Sequence, residues 1–168
     1  HKFDVLEGGV RVPMIIRWPG RMMAGAVYDR MVSSMDVYPT LVHAAGLQMP
    51  KGQTTDGVDL IPFINGEGTS KPHDWLCWQN RSWLPKTEGG YGVPTLKVHN
   101  SAIRKGNWKL VRFNEKIGSD DHSPDWKLYN LSSDIGEQKD VAHQHLDIVK
   151  SLSGLFDDWR SSMHPTVE

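Results

Sequence analysis

The chain carries two kinds of apolar pattern, and the first lies in its amino-terminal part. Residues 12–18, VPMIIRW, form a continuous apolar run, which is typical of a strand buried on both faces of a parallel sheet. Apolar positions then repeat at helical spacing across residues 35–45, between a predicted N-cap at Ser34 and a predicted stop at Gly46. A strand followed by a helix is typical of an α/β layer.

The second pattern is a series of short strands in the carboxy-terminal part. Residues 75–79 and 126–131 are short apolar runs, and residues 102–113 predict a hairpin that turns at Lys-Gly-Asn. Successive strands without intervening helices predict an antiparallel sheet, and residues 80–94 are predicted as a long loop. Apolar positions across residues 148–159 share one helical face, so a carboxy-terminal helix should pack on this sheet.

A stretch rich in Gly, Pro and Thr at residues 48–74 separates the two patterns. It predicts a surface excursion with one short ordered piece, DLIPFI, and we place a domain boundary near residues 70–72. Residues 1–70 are therefore predicted to end a mixed α/β domain. Residues 71–168 are predicted to form a small subdomain, in which an antiparallel sheet packs against the last helix.

Composition narrows the classes of partner. The chain has 168 residues, 38% of them hydrophobic, with a net charge of -1 and a pI near 6.8, so we expect no nucleic-acid partner. No apolar run is long enough to span a bilayer, and we expect no membrane partner. The single cysteine, Cys77, cannot form an internal disulfide and does not identify a compartment. Because the chain starts abruptly at HKFDVLEGG, we expect it to be the carboxy-terminal portion of something longer.

Several motifs, in order, carry a family resemblance. HKFDVLEGGVRVPMIIRWPG resembles a segment of arylsulfatase-type sulfatases, members of the alkaline phosphatase superfamily. Its family form is a lysine, a few residues, Glu-Gly-Gly-x-Arg-x-Pro, and an apolar strand ending in Trp-Pro-Gly. SSMDVYPTLVHAAGL, DGVDLIPFINGE, AIRKGNWKLV and LYNLSSDIGEQKDVA are similar to later segments of the same family. The resemblance covers essentially the whole chain.

This resemblance implies hydrolysis of sulfate esters by an upstream formylglycine, made from a Cys/Ser-x-Pro-x-Arg motif, beside a calcium ion held by Asp and Asn. Cys77 stands in WLCWQN, without the Pro-x-Arg that would follow such a nucleophile. We therefore expect calcium and formylglycine in the full-length enzyme and no metal site in this chain, which should be inactive without the amino-terminal part. Family habit suggests a periplasmic, secreted or lysosomal setting.

The resemblance also implies a catalytic role for Lys2. It lies five residues before Glu7, the spacing at which the family places a lysine that contacts the substrate sulfate, and its cation would stabilise charge on the leaving group. The alternative is a solvated lysine. For Glu7 and Arg11 we favour a structural role, fixing a sharp turn by polar contacts. Gly8 and Gly9 would give that turn backbone angles closed to other residues.

Two histidines are candidate substrate contacts. Some sulfatases place a substrate-contacting histidine on the hairpin that corresponds to the loop of His122, and His99 is a further candidate; a plain surface histidine is the alternative for both. The tripeptide Asp-Asp-His in this loop could suggest a metal site, but adjacent side chains rarely converge on one ion. Asp36 is interpreted as helix-cap chemistry, and His43 as an ordinary helix-surface residue.

Aromatic residues suggest the substrate class. Seven tryptophans should fill cores or line a cleft. We interpret Trp78 and Trp108 as core residues, and Trp83 and Tyr91 as rim positions whose rings could stack on a sugar, so that the substrate would be a carbohydrate sulfate. Two alternatives stay open: a non-catalytic glycan-binding module, and a phosphatase or phosphodiesterase of the same superfamily.

Overall fold

The computed structural model describes residues 4–67, 70–84, 93–116 and 126–163, with the backbone alone at 81–84, 93–98 and 114–116. Within these residues the chain forms two compact units. One consists of residues 14–74, and the other, here called the C-terminal unit, combines residues 4–13 with residues 75–163. The short segment that precedes residue 14 therefore belongs to the same unit as the carboxy-terminal sheet, although about sixty residues separate them in sequence.

The helices are α1 (Glu7–Val10), α2 (Val37–Ala44), α3 (Ile61–Ile64) and α4 (Leu146–Met163), with 3-10 turns at Ser34–Asp36 and Ala142–Gln144. The strands are β1 (Leu76–Leu84), β2 (Val93–Lys105), β3 (Trp108–Lys116) and β4 (Lys127–Asn130). They form one antiparallel sheet in the order β1-β2-β3-β4.

The predicted sheet is confirmed, although two strands are longer than expected. The hairpin between β2 and β3 turns at Gly106 and Asn107, two residues of the predicted triplet, and Gly106 supplies a left-handed angle, with φ of 59°. The prediction of a long loop at 80–94 is wrong at both its ends, because residues 80–84 belong to β1 and residues 93–94 to β2. Polar residues can occupy these positions because strand pairing is made by the backbone and does not require apolar side chains.

Both faces of the sheet carry a core, because neighbouring residues on a strand point to opposite sides. The face against α4 holds the helix core, and the opposite face holds the segment core. The helix core comprises Ile103, Leu110, Leu128, Leu152 and Phe156. The segment core comprises Val5, Ala102, Val111, Tyr129 and Leu131. The predicted packing of the last helix on the sheet is therefore confirmed, as is the fold class. Trp78 and Trp108 pack against these cores, as predicted.

The predicted strand at residues 12–18 is wrong. This stretch has no regular secondary structure, and Ile15 is 93% exposed. A strand requires a neighbour that pairs with its backbone groups, and within the described ranges the sheet is formed by β1 to β4 alone. The apolar run identified a sequence suited to burial, but the burial itself depends on a pairing partner. The domain boundary placed near residues 70–72 stays a prediction.

The start of α2 is organised by a buried carboxylate. Ser33, and not the predicted Ser34, is the capping residue: its Oγ accepts from Met35 N–H, and its own N–H donates to Asp36 Oδ2 at 2.7 Å. Asp36 is fully buried and also accepts from Val58 N–H and from His73 Nε2, each at 2.9 Å. The assignment of Asp36 to cap chemistry is thus confirmed. His43 is on the exposed side of α2, where its ring contacts the Asp59 carboxylate.

Gly57 permits a close approach that no larger residue allows. A Cβ at this position would lie 2.1 Å from the carbonyl oxygen of Met35, so Gly57→Ala must displace the 3-10 turn that precedes α2. We expect Gly57→Ala to lower the free energy of unfolding by about 1–3 kcal/mol, measured by thermal and urea denaturation. As a control, Gly154→Ala lies in the interior of α4 with no atom near its Cβ, and should stabilise by about 0.5–1 kcal/mol. Equal effects of the two alanines would contradict this assignment.

Candidate functional site

The predicted site residues fall largely beyond the described ranges. Lys2, Tyr91 and His122 lie outside the described residues. Trp83 is described by its backbone, which pairs with Pro94 between β1 and β2. His99 stands on β2, partly buried, opposite Arg81 on β1. Their assignments to substrate stay predictions.

A cluster of buried charged residues occupies the C-terminal unit, and we call Glu7, Lys109 and Glu137 the charge cluster. Lys109 is fully buried and its Nζ lies 2.9 Å from Glu7 Oε1 and 3.0 Å from Glu137 Oε1. The ammonium also lies 5.7 Å from the ring centroid of Trp78, within cation–π distance. A buried ammonium is tolerated when it is paired and hydrogen-bonded in this way. The cluster therefore links three segments distant in sequence.

The local structure around Lys109, Glu7 and Glu137 explains how each side chain reaches the charge cluster. Lys109 precedes Leu110 of the helix core on β3, so alternation directs it to the face of the segment core. Glu7 begins the helical turn α1. Glu137 has a left-handed φ of 53°, which is unusual for a residue other than glycine. The preceding Asp134 holds this loop by accepting from two backbone N–H groups, which lower the pKa of its carboxyl.

The backbone and both carboxylate oxygens of Glu7 are engaged. Its N–H donates to Glu137 Oε2 at 2.6 Å, and its Oε2 lies 3.3 Å from Arg104 Nη1 and 3.6 Å from Arg11 Nη1. The other carboxylate oxygen of Glu7, Oε1, accepts the hydrogen bond from Lys109 Nζ. The side chain of Arg11 is 60% exposed, so its contribution is small. The structural role predicted for Glu7 and Arg11, fixing the turn by polar contacts, agrees with this geometry.

The reason given for the two glycines of this turn is wrong. Gly8 and Gly9 lie in the right-handed turn α1, a conformation open to residues with a Cβ. The sharp change of direction comes instead from extended conformations at Leu6 and Arg11, on either side of the turn. A Cβ on Gly8 would meet no atom within 4 Å.

Sequence reasoning missed Lys109 and Glu137, although one signal was present. In the predicted hairpin, Lys109 shares a strand face with Val111, and a charged residue at an inward position requires a partner. The pattern could not name that partner, because Glu7 lies 102 residues away. Glu137 left no such signal, since it follows β4 in a turn region.

Cys77 is a packing residue of the C-terminal unit. It pairs with Ile103 in the sheet and packs against the helix core. Burial raises the pKa of its thiol from 9.0 to about 12. A group with this pKa is protonated at neutral pH and is a poor nucleophile. This behaviour agrees with the interpretation of Cys77 as a residue outside the chemistry.

Alkylation of Cys77 tests this assignment. At about pH 8 the raised pKa leaves a thiolate fraction about a thousandfold lower than that of a free thiol, so the folded protein should react with iodoacetamide far more slowly than the denatured protein. Because the chain holds one cysteine, the mass increase on intact protein reports this site. Equal rates in the folded and denatured states would show that the thiol is neither buried nor protonated.

Across the described ranges, no group of three His, Cys, Asp or Glu side chains is arranged to hold a metal ion. None of the described helices is long and apolar enough to cross a bilayer.

Comparisons with known proteins identify relatives along nearly the whole chain. The family described as "N-sulphoglucosamine sulphohydrolase, C-terminal" matches residues 2–161. YdeN of Escherichia coli (strain K12), an uncharacterized sulfatase, is 25% identical across 98% of this chain and 32% of its own length. Steryl-sulfatase of Rattus norvegicus is 39% identical across 67% of this chain and 18% of its own length. The chain thus spans about a third or less of these curated relatives.

A solved structure shows the same fold. BT4656, in complex with its substrate D-glucosamine-2-N,6-O-disulfate, aligns with a TM-score of 0.64 and 19% sequence identity. The alignment covers 91% of this chain and 28% of that chain. At this identity the likeness concerns the fold.

Proposed function

Because this chain belongs to the C-terminal family of N-sulphoglucosamine sulphohydrolases, we propose that it forms the carboxy-terminal part of an enzyme that hydrolyses sulfate monoesters. The observation that carries the proposal is the family match from residue 2 to residue 161, which includes the Glu-Gly-Gly segment and the four strands that the structure describes. It also confirms the resemblance to sulfatases drawn from the motifs. The curated relatives named above are sulfatases.

In this proposal, Lys2 contacts the sulfate group of the substrate. Its support is the five-residue spacing to Glu7 within a segment that matches the family. A fixed ammonium beside the sulfate oxygens would stabilise the negative charge that shifts towards the leaving oxygen as the ester bond breaks. The segment that follows Lys2 is well placed for a fixed role, because Val5 and Glu7 are both buried in the C-terminal unit.

Calcium and formylglycine would come from the remainder of the enzyme. Among the described residues, no group of three acidic, histidine or cysteine side chains is arranged to hold a metal ion. Cys77 lacks the motif for formylglycine and is partly buried. The proposed contribution of this chain is therefore to bind and orient the substrate, and the chain alone should not turn over an aryl sulfate.

We propose a carbohydrate sulfate as the substrate class. Trp83 and Tyr91 would stack on a sugar face, and His122 or His99 would donate to the sulfate or a sugar hydroxyl. This choice is supported by the fold neighbour BT4656, whose substrate is a sulfated glucosamine.

The proposed function is tested by the substrate preference of the complete protein. This protein is expressed from its whole reading frame. We expect hydrolysis of p-nitrophenyl sulfate and glucosamine 6-sulfate, and a kcat/KM for p-nitrophenyl phosphate at least about tenfold lower. A preference for the phosphate would favour the phosphatase branch of the superfamily. Saturable binding of the sulfated sugar without hydrolysis would favour a glycan-binding module. Turnover by residues 1–168 alone would show that the chain holds its own reactive centre.

A further inference from the structure

The segment after Lys2 is held on the C-terminal sheet by apolar burial and by buried charge. Val5 is 1% exposed and packs with Ala102, Val111 and Tyr129 of the segment core. Two residues later, Glu7 enters the charge cluster. A segment fixed by these adjacent contacts has little freedom to shift or rotate.

The contacts of Glu7 fix its backbone and its side chain together. Its N–H donates to Glu137 Oε2, while its Oε1 accepts from Lys109 Nζ. Lys109 in turn contacts Glu137, so the three residues close a ring of short contacts. Removing the charge of Glu7 would leave Lys109 one partner short and release the turn α1. This arrangement is more than a tether, because it fixes both the backbone and the side chain of Glu7.

We propose that Glu7 is a positioning residue: through Lys109 and Glu137, the C-terminal unit sets the place of the lysine that contacts sulfate. The inference rests on the proposed function of Lys2. Five residues of chain keep the Cα of Lys2 within about 18 Å of the Cα of Glu7, and Val5, three residues after Lys2, is buried. A displacement of about 1 Å at a reacting group can reduce the rate about a hundredfold. The small sheet would thus contribute to catalysis without touching the substrate.

A merely structural role makes a different prediction from a positioning role. If the charge cluster only stabilises the fold, its loss lowers the melting temperature while molecules that remain folded keep their kcat/KM. If it positions Lys2, folded molecules lose kcat/KM, and that loss depends on the presence of Lys2. A double-mutant cycle separates the two cases, because coupling appears between residues that act through one another.

The cycle compares Glu7→Gln, Lys2→Met and the double variant in the complete protein, with p-nitrophenyl sulfate, at a temperature where each is folded. We expect Lys2→Met to lower kcat/KM about 100- to 1,000-fold and Glu7→Gln about tenfold or more. In the Lys2→Met background, Glu7→Gln should change kcat/KM less than about twofold. Leu152→Ala, in the helix core, is the stability control: it should lower the melting temperature and leave kcat/KM within about twofold.

The results that would overturn the inference differ according to which of its premises fails. An unchanged kcat/KM in Glu7→Gln, or an equal loss in both backgrounds, overturns positioning and leaves the role of Lys2 intact. An unchanged kcat/KM in Lys2→Met removes that role and the inference together. Absence of hydrolysis by the unmodified protein defeats the proposed function and, with it, the inference. Should Glu7→Gln fail to fold, Glu137→Gln disturbs the same ring and must show the same dependence on Lys2.

Discussion

Replacing Lys109 by methionine will lower the free energy of unfolding of the C-terminal unit by about 3–5 kcal/mol. The substitution preserves the length of the side chain but leaves the carboxylates of Glu7 and Glu137 buried without the ammonium between them. Urea denaturation followed by tryptophan fluorescence will measure the loss. Six of the seven tryptophans lie at or after Trp75, so this signal reports mainly on the C-terminal unit.

A matched control separates charge burial from the loss of a lysine. Lys105→Met makes the same chemical change at an exposed position at the end of β2, and should alter stability by less than about 0.5 kcal/mol. Neutralising the carboxylates as well, by adding Glu7→Gln and Glu137→Gln to Lys109→Met, should recover part of the loss. If Lys109→Met were as stable as Lys105→Met, the charge cluster would not contribute to the free energy of unfolding.

Replacing Lys2 by methionine in the complete protein will reduce kcat/KM for a sulfate monoester about 100- to 1,000-fold, the cost of removing one stabilising group from a reacting centre. Steady-state kinetics across a range of substrate concentrations will measure the loss. Because the effect concerns the transition state, kcat should fall along with kcat/KM. Lys51→Met, at an exposed position of the other unit, is the control and should behave as the unmodified protein. A loss below about threefold for Lys2→Met would show that no stabilising cation stands there.

The C-terminal sheet and its helix were predictable because their patterns are local. Alternation along β3 and the helical spacing from Ile148 to Trp159 each require a few neighbouring residues. The strand expected at residues 12–18 failed for the opposite reason. Its apolar composition is visible in sequence, but the backbone partner that would make it a strand is not.

The candidate site was predictable only through family motifs. Nothing in the local pattern distinguishes Lys2 from a solvated lysine, and its assignment depends on the spacing to Glu7 in a recognised segment. The pairing within the charge cluster could not be predicted for a physical reason: its members come from a turn, a strand and a loop, and 130 residues separate Glu7 from Glu137. Buried ion pairs of this kind are set by tertiary structure, which a single sequence does not report.

The position of a bound sulfate tests the central claim most directly. A crystal structure of the complete protein with sulfate or a sulfated sugar in its active site should place Lys2 Nζ about 2.7–3.2 Å from a sulfate oxygen, with Glu7 still paired to Lys109. A distance beyond about 6 Å between Lys2 Nζ and every sulfate oxygen, too long for direct pairing of the two charges, would contradict the account.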